Sequence, residues 1–492
     1  MRQLIGFAFA SLLAANVAAD NTFVVSNTQD SGAGSLRAAI GQMVANNGLQ
    51  TLRIEVGQGA QITLNAPLPP MIGQSILVDG APSPGLRIDG NGWSIFQVIT
   101  GSSAQTVRLE RLALRNGQSA VGGGCVFVNT RGALQVFDAT FENCNNFGPA
   151  ASGAGGGAIR TNGSLRLTRT RFVGNSAGDG GVTGLLVAGG AVSVRGGATV
   201  LIEQTQFINN RTQASPQSQT RCLGGSGGAL AIDLPLNAGA TLTDVQFINN
   251  ATSCLTSSSR QAGQGGALAV FGAGNTTVSL DRVYFGGNEA FDGGALAAFS
   301  VRLNLTNATF FENTAFSSGA LYALTSTGAP PTALSLRSST FARNASSFGS
   351  SGASITLIAT TVVDVRNTVF APSLSGPQCA PTFITTSAGA AVFTSDDSCF
   401  FALPGSVNGI TTLFPGNTFG LNTASQSYGF VPTLNVAAAS PLIDNGAASN
   451  CPTLDARRIS RPRNGGFGTI CDVGAVEFSA DLLFGNAFEF GQ

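Results

Sequence analysis

The chain has 492 residues, with 25 acidic and 25 basic side chains, 65 glycines and no histidine. Every basic residue is an arginine, because the sequence contains no lysine. The neutral charge balance gives no reason to expect a nucleic acid partner. The missing residue types exclude a Ser–His triad, a histidine metal site and a lysine Schiff base, so we expect no cofactor and no metal centre.

Residues 1–19 have the pattern of a secretory signal peptide. Arg2 precedes an apolar run over Leu4–Ala15, and Val17-Ala18-Ala19 ends in small residues before Asp20. This run is too short to cross a bilayer, and no later stretch has about 18 uninterrupted apolar residues. We therefore expect a Sec-type signal on a secreted or cell-surface protein without a transmembrane span. The alternative is a buried N-terminal helix.

Residues 20–120 hold short apolar or alternating runs bounded by glycine, proline, asparagine and aspartate. Such runs predict strands joined by turns. They begin at Thr22, Leu52, Gln61, Ser75 and Leu86. We interpret this region as an N-terminal cap followed by the first coils of a β structure.

Residues 121–378 repeat one phrase, in which a glycine pair and a small residue are followed about 15 to 20 residues later by a phenylalanine and an asparagine. The small residue of the phrase recurs every 25 to 38 residues, at Cys125, Ala158, Ala191, Ala229, Ala267, Ala295, Ala320 and Ala353. Self-similarity of this kind indicates a solenoid. A unit with several short strands and no room for a long helix favours an all-β, single-stranded, right-handed parallel β-helix.

The repeat also predicts the role of each recurring residue. Phenylalanines at the same place in every coil would stack inside the solenoid. Asparagines at a coil corner would form a ladder of side-chain amides. Glycine pairs allow the chain to bend where a Cβ would clash.

Eight cysteines fit an oxidising compartment. Sequence alone allows 105 pairings, but the spacing favours the sequential pairs Cys125–Cys144, Cys222–Cys254, Cys379–Cys399 and Cys451–Cys471. The separations within these pairs are of the order of one coil, so each bridge would join neighbouring coils. A metal site is the alternative, and it is disfavoured because the chain lacks histidine and any CxxC pair.

Three consecutive coils lengthen the segment between the asparagine and the next glycine pair. Insertions on one face of a solenoid often form its binding surface. The longer segments carry Arg211, Arg221 and Arg260, which we interpret as a candidate site for an acidic polysaccharide or another cell-surface polymer. The alternative is that these arginines are ordinary solubilising charges.

The acidic residues offer only a weak catalytic candidate. A polysaccharide lyase or glycosidase needs clustered Asp or Glu for calcium or acid–base chemistry, whereas the acids here are scattered. Asp244 and Asp281 precede Phe247 and Phe285 by three and four residues. If they share one exterior face on adjacent coils, they would stand roughly 5 Å apart. The alternative for both is a solvated face.

The end of the chain leaves the repeat. We interpret residues 379–439 as the last coils and a transition, and residues 479–492 as a tail. Residues 440–478 hold two cysteines and predict a C-terminal cap over the open edge of the last coil. Within this cap Asp455, Arg457 and Arg458 are expected to form a buried ion pair.

Three regions carry family resemblances. TQDSGAGSLRAAI, at Thr28–Ile40, resembles the N-terminal motif of bacterial secreted right-handed β-helix proteins, in which SLR begins a short helix that caps the first coil. The repeats resemble those of polymorphic outer-membrane proteins. SPLIDNG at Ser440, DARRISRP at Asp455 and CDVGAVEF at Cys471 resemble the choice-of-anchor Q domain of bacterial surface proteins. The tail at Asp481–Glu489 is similar to that of some gammaproteobacterial exported proteins.

These resemblances imply export and surface association, in families that mostly have no assigned activity. We therefore predict a monomeric, exported β-helix protein that acts in surface interaction or adhesion without catalysis and binds an acidic polysaccharide. The alternative is a polysaccharide lyase or glycoside hydrolase of pectate-lyase-like fold.

Overall fold

The computed structural model is an all-β parallel β-helix, which confirms the fold that the repeat predicts. It describes residues 21–43, 49–72, 75–99, 105–129, 132–147, 155–178, 187–214, 225–254, 263–273, 275–326, 332–358, 362–380, 391–396, 398–399, 410–413, 419–426, 429–463 and 470–478. Each coil contributes strands that pair in parallel with their equivalents in the coils before and after it.

The largest sheet, which we call sheet 1, contains two rows of strands. The first row is Asn21–Val25, Leu49–Ile54, Ser75–Asp79, Thr106–Glu110, Ala133–Phe137, Ser164–Thr168, Thr199–Ile208, Gly239–Ile248, Thr277–Gly286, Arg302–Thr306, Ala333–Arg337 and Val362–Arg366. The second row is Gln61–Thr63, Arg87–Asp89, Ala113–Arg115, Thr140–Glu142, Arg171–Val173, Thr309–Phe311, Thr340–Ala342, Thr368–Phe370, Ala391–Thr394 and Ile410–Leu413. The three ten-residue strands of the first row run on into the second.

Two further sheets complete each coil. Sheet 2 holds Gln118–Ser119, Asn145–Phe147, Ser176–Gly178, Arg211–Ala214, Ala251–Cys254, Glu289–Asp292, Thr314–Ser317 and Ala345–Ser346. Sheet 3 holds Phe96–Ile99, Val126–Asn129, Ile159–Thr161, Val192–Arg195, Leu230–Leu234, Leu268–Gly272, Leu296–Phe299, Leu321–Leu324, Ile355–Ile358 and Cys379–Ala380. A small pair, Val187–Ala188 and Gly225–Ser226, lies between them in the chain.

The interior is organised in columns, as predicted. Eight fully buried phenylalanines stack with ring centroids 4.5 to 5.0 Å apart, at Phe141, Phe172, Phe207, Phe247, Phe285, Phe310, Phe341 and Phe370. Because each of the six inner rings stacks on one ring above and one below, the spacing of the coils fixes their packing.

A ladder of buried asparagines lies at the next corner of each coil. Its members are Asn175, Asn210, Asn250, Asn288, Asn313 and Asn344. The Asn250 Oδ1 accepts hydrogen bonds from both the backbone and the side-chain nitrogens of Asn210, each at 3.0 Å. The Asn250 Nδ2 donates to the Phe207 carbonyl at 2.9 Å. The amides therefore satisfy one another and the turn backbone, which confirms the predicted ladder.

In nine consecutive coils, the turn between the two rows of sheet 1 has one non-glycine residue of left-handed conformation. We call these residues the corner column: Arg111, Asp138, Arg169, Gln204, Asp244, Arg282, Asn307, Ser338 and Asn367, with φ between 47° and 55°. Their side chains line the outer edge of the corner, so charges in neighbouring coils meet there.

A short helix covers the first coil. It spans Leu36–Gln42, and the Ser35 hydroxyl caps it by accepting a hydrogen bond from the Ala38 N–H at 3.2 Å. Leu36, Ala39 and Ile40 are buried beneath it. The expected N-terminal helix cap is thus confirmed.

Three of the predicted disulfides are present: Cys125–Cys144, Cys379–Cys399 and Cys451–Cys471. Cys222 lies outside the described residues, and only the backbone of Cys254 is described, in the strand Ala251–Cys254. The fourth predicted pair therefore stays a prediction.

After the last coils, the described chain runs back along the outside of the solenoid. We call the described residues between 419 and 478 the C-terminal strap. It includes the 3₁₀ helix Ala448–Asn450. Asn307 donates to the Leu454 carbonyl at 3.0 Å, and the Ala475 N–H donates to the Thr340 hydroxyl at 2.9 Å.

The strap is therefore more than the predicted cap over the last coil. Its apolar residues do pack on the late strand Ala391–Thr394, through Phe393 and Phe419. It also covers the sides of earlier coils as far as Gln246, whose amide donates to the Phe430 carbonyl. The strap residues lack the repeat, so they do not form further coils. They bury their apolar side chains on the outer face of the solenoid instead. Within the described chain, no helix is long and apolar enough to span a membrane.

Candidate functional site

The two carboxylates that sequence reasoning singled out are tied to arginines. Asp244 is 1 % exposed and belongs to the corner column. The Arg282 Nε donates to its carboxylate at 2.8 Å, and the Arg458 guanidinium donates to it from the strap. The alternative of a solvated face is thus wrong for Asp244, because the strap covers this part of the corner.

Asp281 is not the register equivalent of Asp244. It pairs with Thr243 in the sheet, so the true equivalent of Asp244 in the next coil is Arg282. The Asp281 carboxylate accepts hydrogen bonds from the Arg282 side chain and from Asn307 Nδ2. Burial raises the pKa of Asp281, and the charge of Arg282 opposes that rise. The pair is therefore a structural ion cluster rather than an open catalytic dyad.

The strap has an ionic core of its own. The Arg457 guanidinium donates to Asp455 at 2.8 and 3.0 Å, and both side chains are buried. The buried pair expected there is confirmed for these two residues, whereas Arg458 turns outward to Asp244. Arg461 lies 3.6 Å from Glu477, also buried, and burial raises the pKa of Glu477 to about 7.

Asp292 is a half-buried acid that sequence reasoning did not single out. It ends the sheet 2 strand Glu289–Asp292, and it pairs with Gln264 and Ser317 on either side. Burial raises its pKa to about 6, although a hydrogen bond from Gln264 lowers it. It makes no ion pair within 4 Å in the described part of the chain. The residues at the same position of the other repeats are uncharged. The sequence pattern therefore does not distinguish Asp292, and only its burial does.

The predicted binding arginines divide between described and undescribed residues. Arg211 begins the strand Arg211–Ala214 and is exposed on the outside of sheet 2, so it lies on a strand rather than in the expected loop. Its register partners are Ser176 and Ala251. Arg221 and Arg260 lie outside the described residues.

An open depression lies on sheet 1 beside Phe430, at the edge of the area that the strap covers. Its volume is about 350 Å³, and its lining consists of Arg169, Thr170, Arg171, Gln204, Gln206 and Phe430. We call it the Phe430 pocket. Sequence reasoning missed it because Phe430 is more than 220 residues from the other lining residues and belongs to no repeat.

A second groove, of about 360 Å³, separates the strap from the corner of the late coils. Phe311, Ala342, Leu374 and Leu421 contribute apolar walls, and the Glu312–Arg343 ion pair lies at its edge. Most of its polar groups are already paired. It therefore offers less for ligand recognition than the Phe430 pocket.

No group of three or more Cys, Asp or Glu side chains suited to a metal ion occurs among the residues described. No protein-family model, curated protein or solved structure matches the chain. The candidate sites therefore rest on the geometry alone.

Proposed function

We propose that this is an exported or cell-surface β-helix protein that acts in surface interaction or adhesion and binds an acidic polysaccharide without catalysis. Three disulfides support an oxidising compartment, where such bonds persist. The resemblance to choice-of-anchor Q and polymorphic outer-membrane repeats supports the surface assignment.

The observation that carries the proposal is the distribution of unpaired arginines. Arg111, Arg171 and Arg211 are exposed on the outer faces of the coils, and none makes an ion pair within 4 Å with another described residue. Most other arginines of sheet 1 are paired with an acid. Exposed guanidiniums bind carboxylates and sulfates bidentately, so these positions favour an anionic polymer.

The catalytic alternative has one favourable observation. Asp292 is a partly buried acid with a pKa raised to about 6, which suits a general acid or base. A glycosidase also needs a second carboxyl group nearby, and Asp244 and Asp281 are bound to arginines elsewhere. For this reason the polysaccharide lyase or glycosidase is the second candidate.

One experiment separates the two functions. The purified protein is incubated with a panel of acidic polysaccharides, with and without calcium, while unsaturated products and new reducing ends are followed. Binding to the same panel is measured in parallel. Binding without turnover supports the interaction protein. Turnover that disappears in Asp292→Asn would establish an enzyme.

The three arginines that the sequence predicts as a binding site have their own test. A triple variant, Arg211→Ser with Arg221→Ser and Arg260→Ser, is compared with the wild type for binding to acidic glycans. Unchanged binding would remove these three arginines from the site.

A further inference from the structure

We propose that the Phe430 pocket is the subsite that holds one uronate residue of the acidic polysaccharide, with Arg171 binding its carboxylate. The inference rests on the proposed function, because it names where on the solenoid that polymer binds. Four observations on the described residues support it.

The first observation is that three polar side chains in the pocket are unused. Arg171, Gln204 and Gln206 make no side-chain hydrogen bond or ion pair with any residue that the structure describes, although all three line the same depression. A guanidinium offers two parallel donors to a carboxylate, and amides both donate to and accept from hydroxyl groups. Together they match the groups of one acidic sugar.

The second observation concerns charge. Arg169 also lines the pocket, but Asp138 accepts from it at 2.6 and 2.9 Å, so its charge is already compensated. Arg171, two residues further on, has no such partner in the described chain. The pocket therefore carries one uncompensated positive charge, which suits one carboxylate.

The third observation is that the aromatic wall is held in place. The Phe430 carbonyl accepts hydrogen bonds from Gln246 and, at 2.8 Å, from Gln426. The ring packs against a buried cluster that includes Tyr284 and Val431. A fixed aromatic ring offers a large apolar surface at little entropic cost, which fits the apolar face of a sugar ring.

The fourth observation is that the pocket lies at the edge of the area of sheet 1 that the strap covers. Arg171, Gln206, Gln246 and Tyr284 follow one another in register along sheet 1. Arg171 is exposed, whereas Gln246 and Tyr284 are 1 % and 7 % exposed because the strap covers them. The step between covered and open coils turns a flat sheet into a concave site, the usual shape of a ligand site.

The test measures binding of three probes by calorimetry at low salt: oligogalacturonate, the same oligomers as neutral methyl esters, and sulfated dextran. We expect the wild type to bind oligogalacturonate and not the esters. Arg171→Gln should weaken binding at least about tenfold, or about 1.4 kcal/mol. Phe430→Ala should also weaken it. The matched control is Arg302→Gln, an exposed arginine on the same sheet whose loss should leave binding unchanged.

Each of the following results would contradict the subsite, the proposed function or the carboxylate assignment. Absence of wild-type binding to every anionic probe overturns both the subsite and the proposed function. Full binding by Arg171→Gln and Phe430→Ala overturns the subsite and leaves the function to other arginines. An equal loss in Arg302→Gln would show diffuse charge attraction instead of a site. A preference for sulfated dextran overturns the carboxylate assignment. Because Arg171 is exposed, its variant should keep the wild-type circular dichroism and melting point.

Discussion

Arg458 and Arg282 donate hydrogen bonds to the same carboxylate, that of Asp244. Arg282 reaches it from the next coil, whereas Arg458 lies 214 residues later, in the strap. The Asp244 side chain is only 2 % exposed. One buried carboxylate therefore joins two consecutive coils to the strap.

Loss of this carboxylate should destabilise the protein. Asp244→Asn removes the carboxylate that Arg282 and Arg458 share, while Arg282 keeps its ion pair with Asp281. Because a hydrogen bond to a charged group contributes about 1.5–3 kcal/mol, we expect a loss of that size. The matched control is Asp138→Asn in the same corner column, where the Arg169 partner is exposed and the expected loss is below about 1 kcal/mol. Chemical unfolding followed by circular dichroism measures both. Equal losses would contradict the structural role of Asp244.

The asparagine ladder should tolerate substitution poorly. Asn250→Ala removes the acceptor of two Asn210 donors and the donor to the Phe207 carbonyl. Each buried polar group left without a partner costs about 1–3 kcal/mol. Because three groups lose a partner, we expect a total loss of at least about 3 kcal/mol. Asn304→Ala, on the exposed face, should change the free energy of unfolding by less than about 0.5 kcal/mol. A small effect at position 250 would mean that water replaces the amide.

The phenylalanine stack makes a comparable prediction. Phe207 lies between Phe172 and Phe247, with both ring centroids at 4.9 Å. Phe207→Ala should therefore lower the free energy of unfolding by about 3–5 kcal/mol through the cavity it opens. Phe348→Ala is the control, because that ring is 46 % exposed. Thermal unfolding compares the two, and similar melting points would contradict the prediction.

The strap should make stability depend on pH. Burial raises the pKa of Glu477 from its ordinary 4.5 to about 7. Between these values the folded protein binds a proton that the unfolded chain does not, so stability should fall as the pH rises through this window. Glu477→Gln cannot titrate and should flatten the slope of the unfolding midpoint between pH 4.5 and 7.

A second variant checks that assignment. Asp292→Asn removes a carboxyl group whose pKa is raised from 3.8 to about 6. It should reduce the slope only between these lower values. If Glu477→Gln keeps the wild-type slope, the pH dependence arises elsewhere.

The repeated part of the fold could be predicted because one coil constrains the next. Phe172 and Asn175 recur in register, so their burial in columns follows from the sequence. The residues of the corner column are harder to predict, because a shift of one residue in the register places a different side chain at the corner. The repeat predicts Asp244 and Asp281 on one face, whereas the sheet pairs Asp281 with Thr243 and places Arg282 at the corner.

The candidate site could not be predicted for a different reason. Arg171 and Gln206 are ordinary exterior residues of their repeats, and nothing near them distinguishes them. The pocket forms only because Phe430, from a segment without repeats, lies beside them. Such a contact depends on where the strap docks, and local periodicity does not encode that position.

The path of the strap also changes how the solenoid can come apart. A stack of coils that contact only their neighbours can fray from its end, one coil at a time. Here the strap is hydrogen-bonded to Asp244, Asn307, Thr340 and Asn367. The final coils are thereby held between the earlier coils and the strap. They should open together, as one cooperative unit, only after the strap has been released.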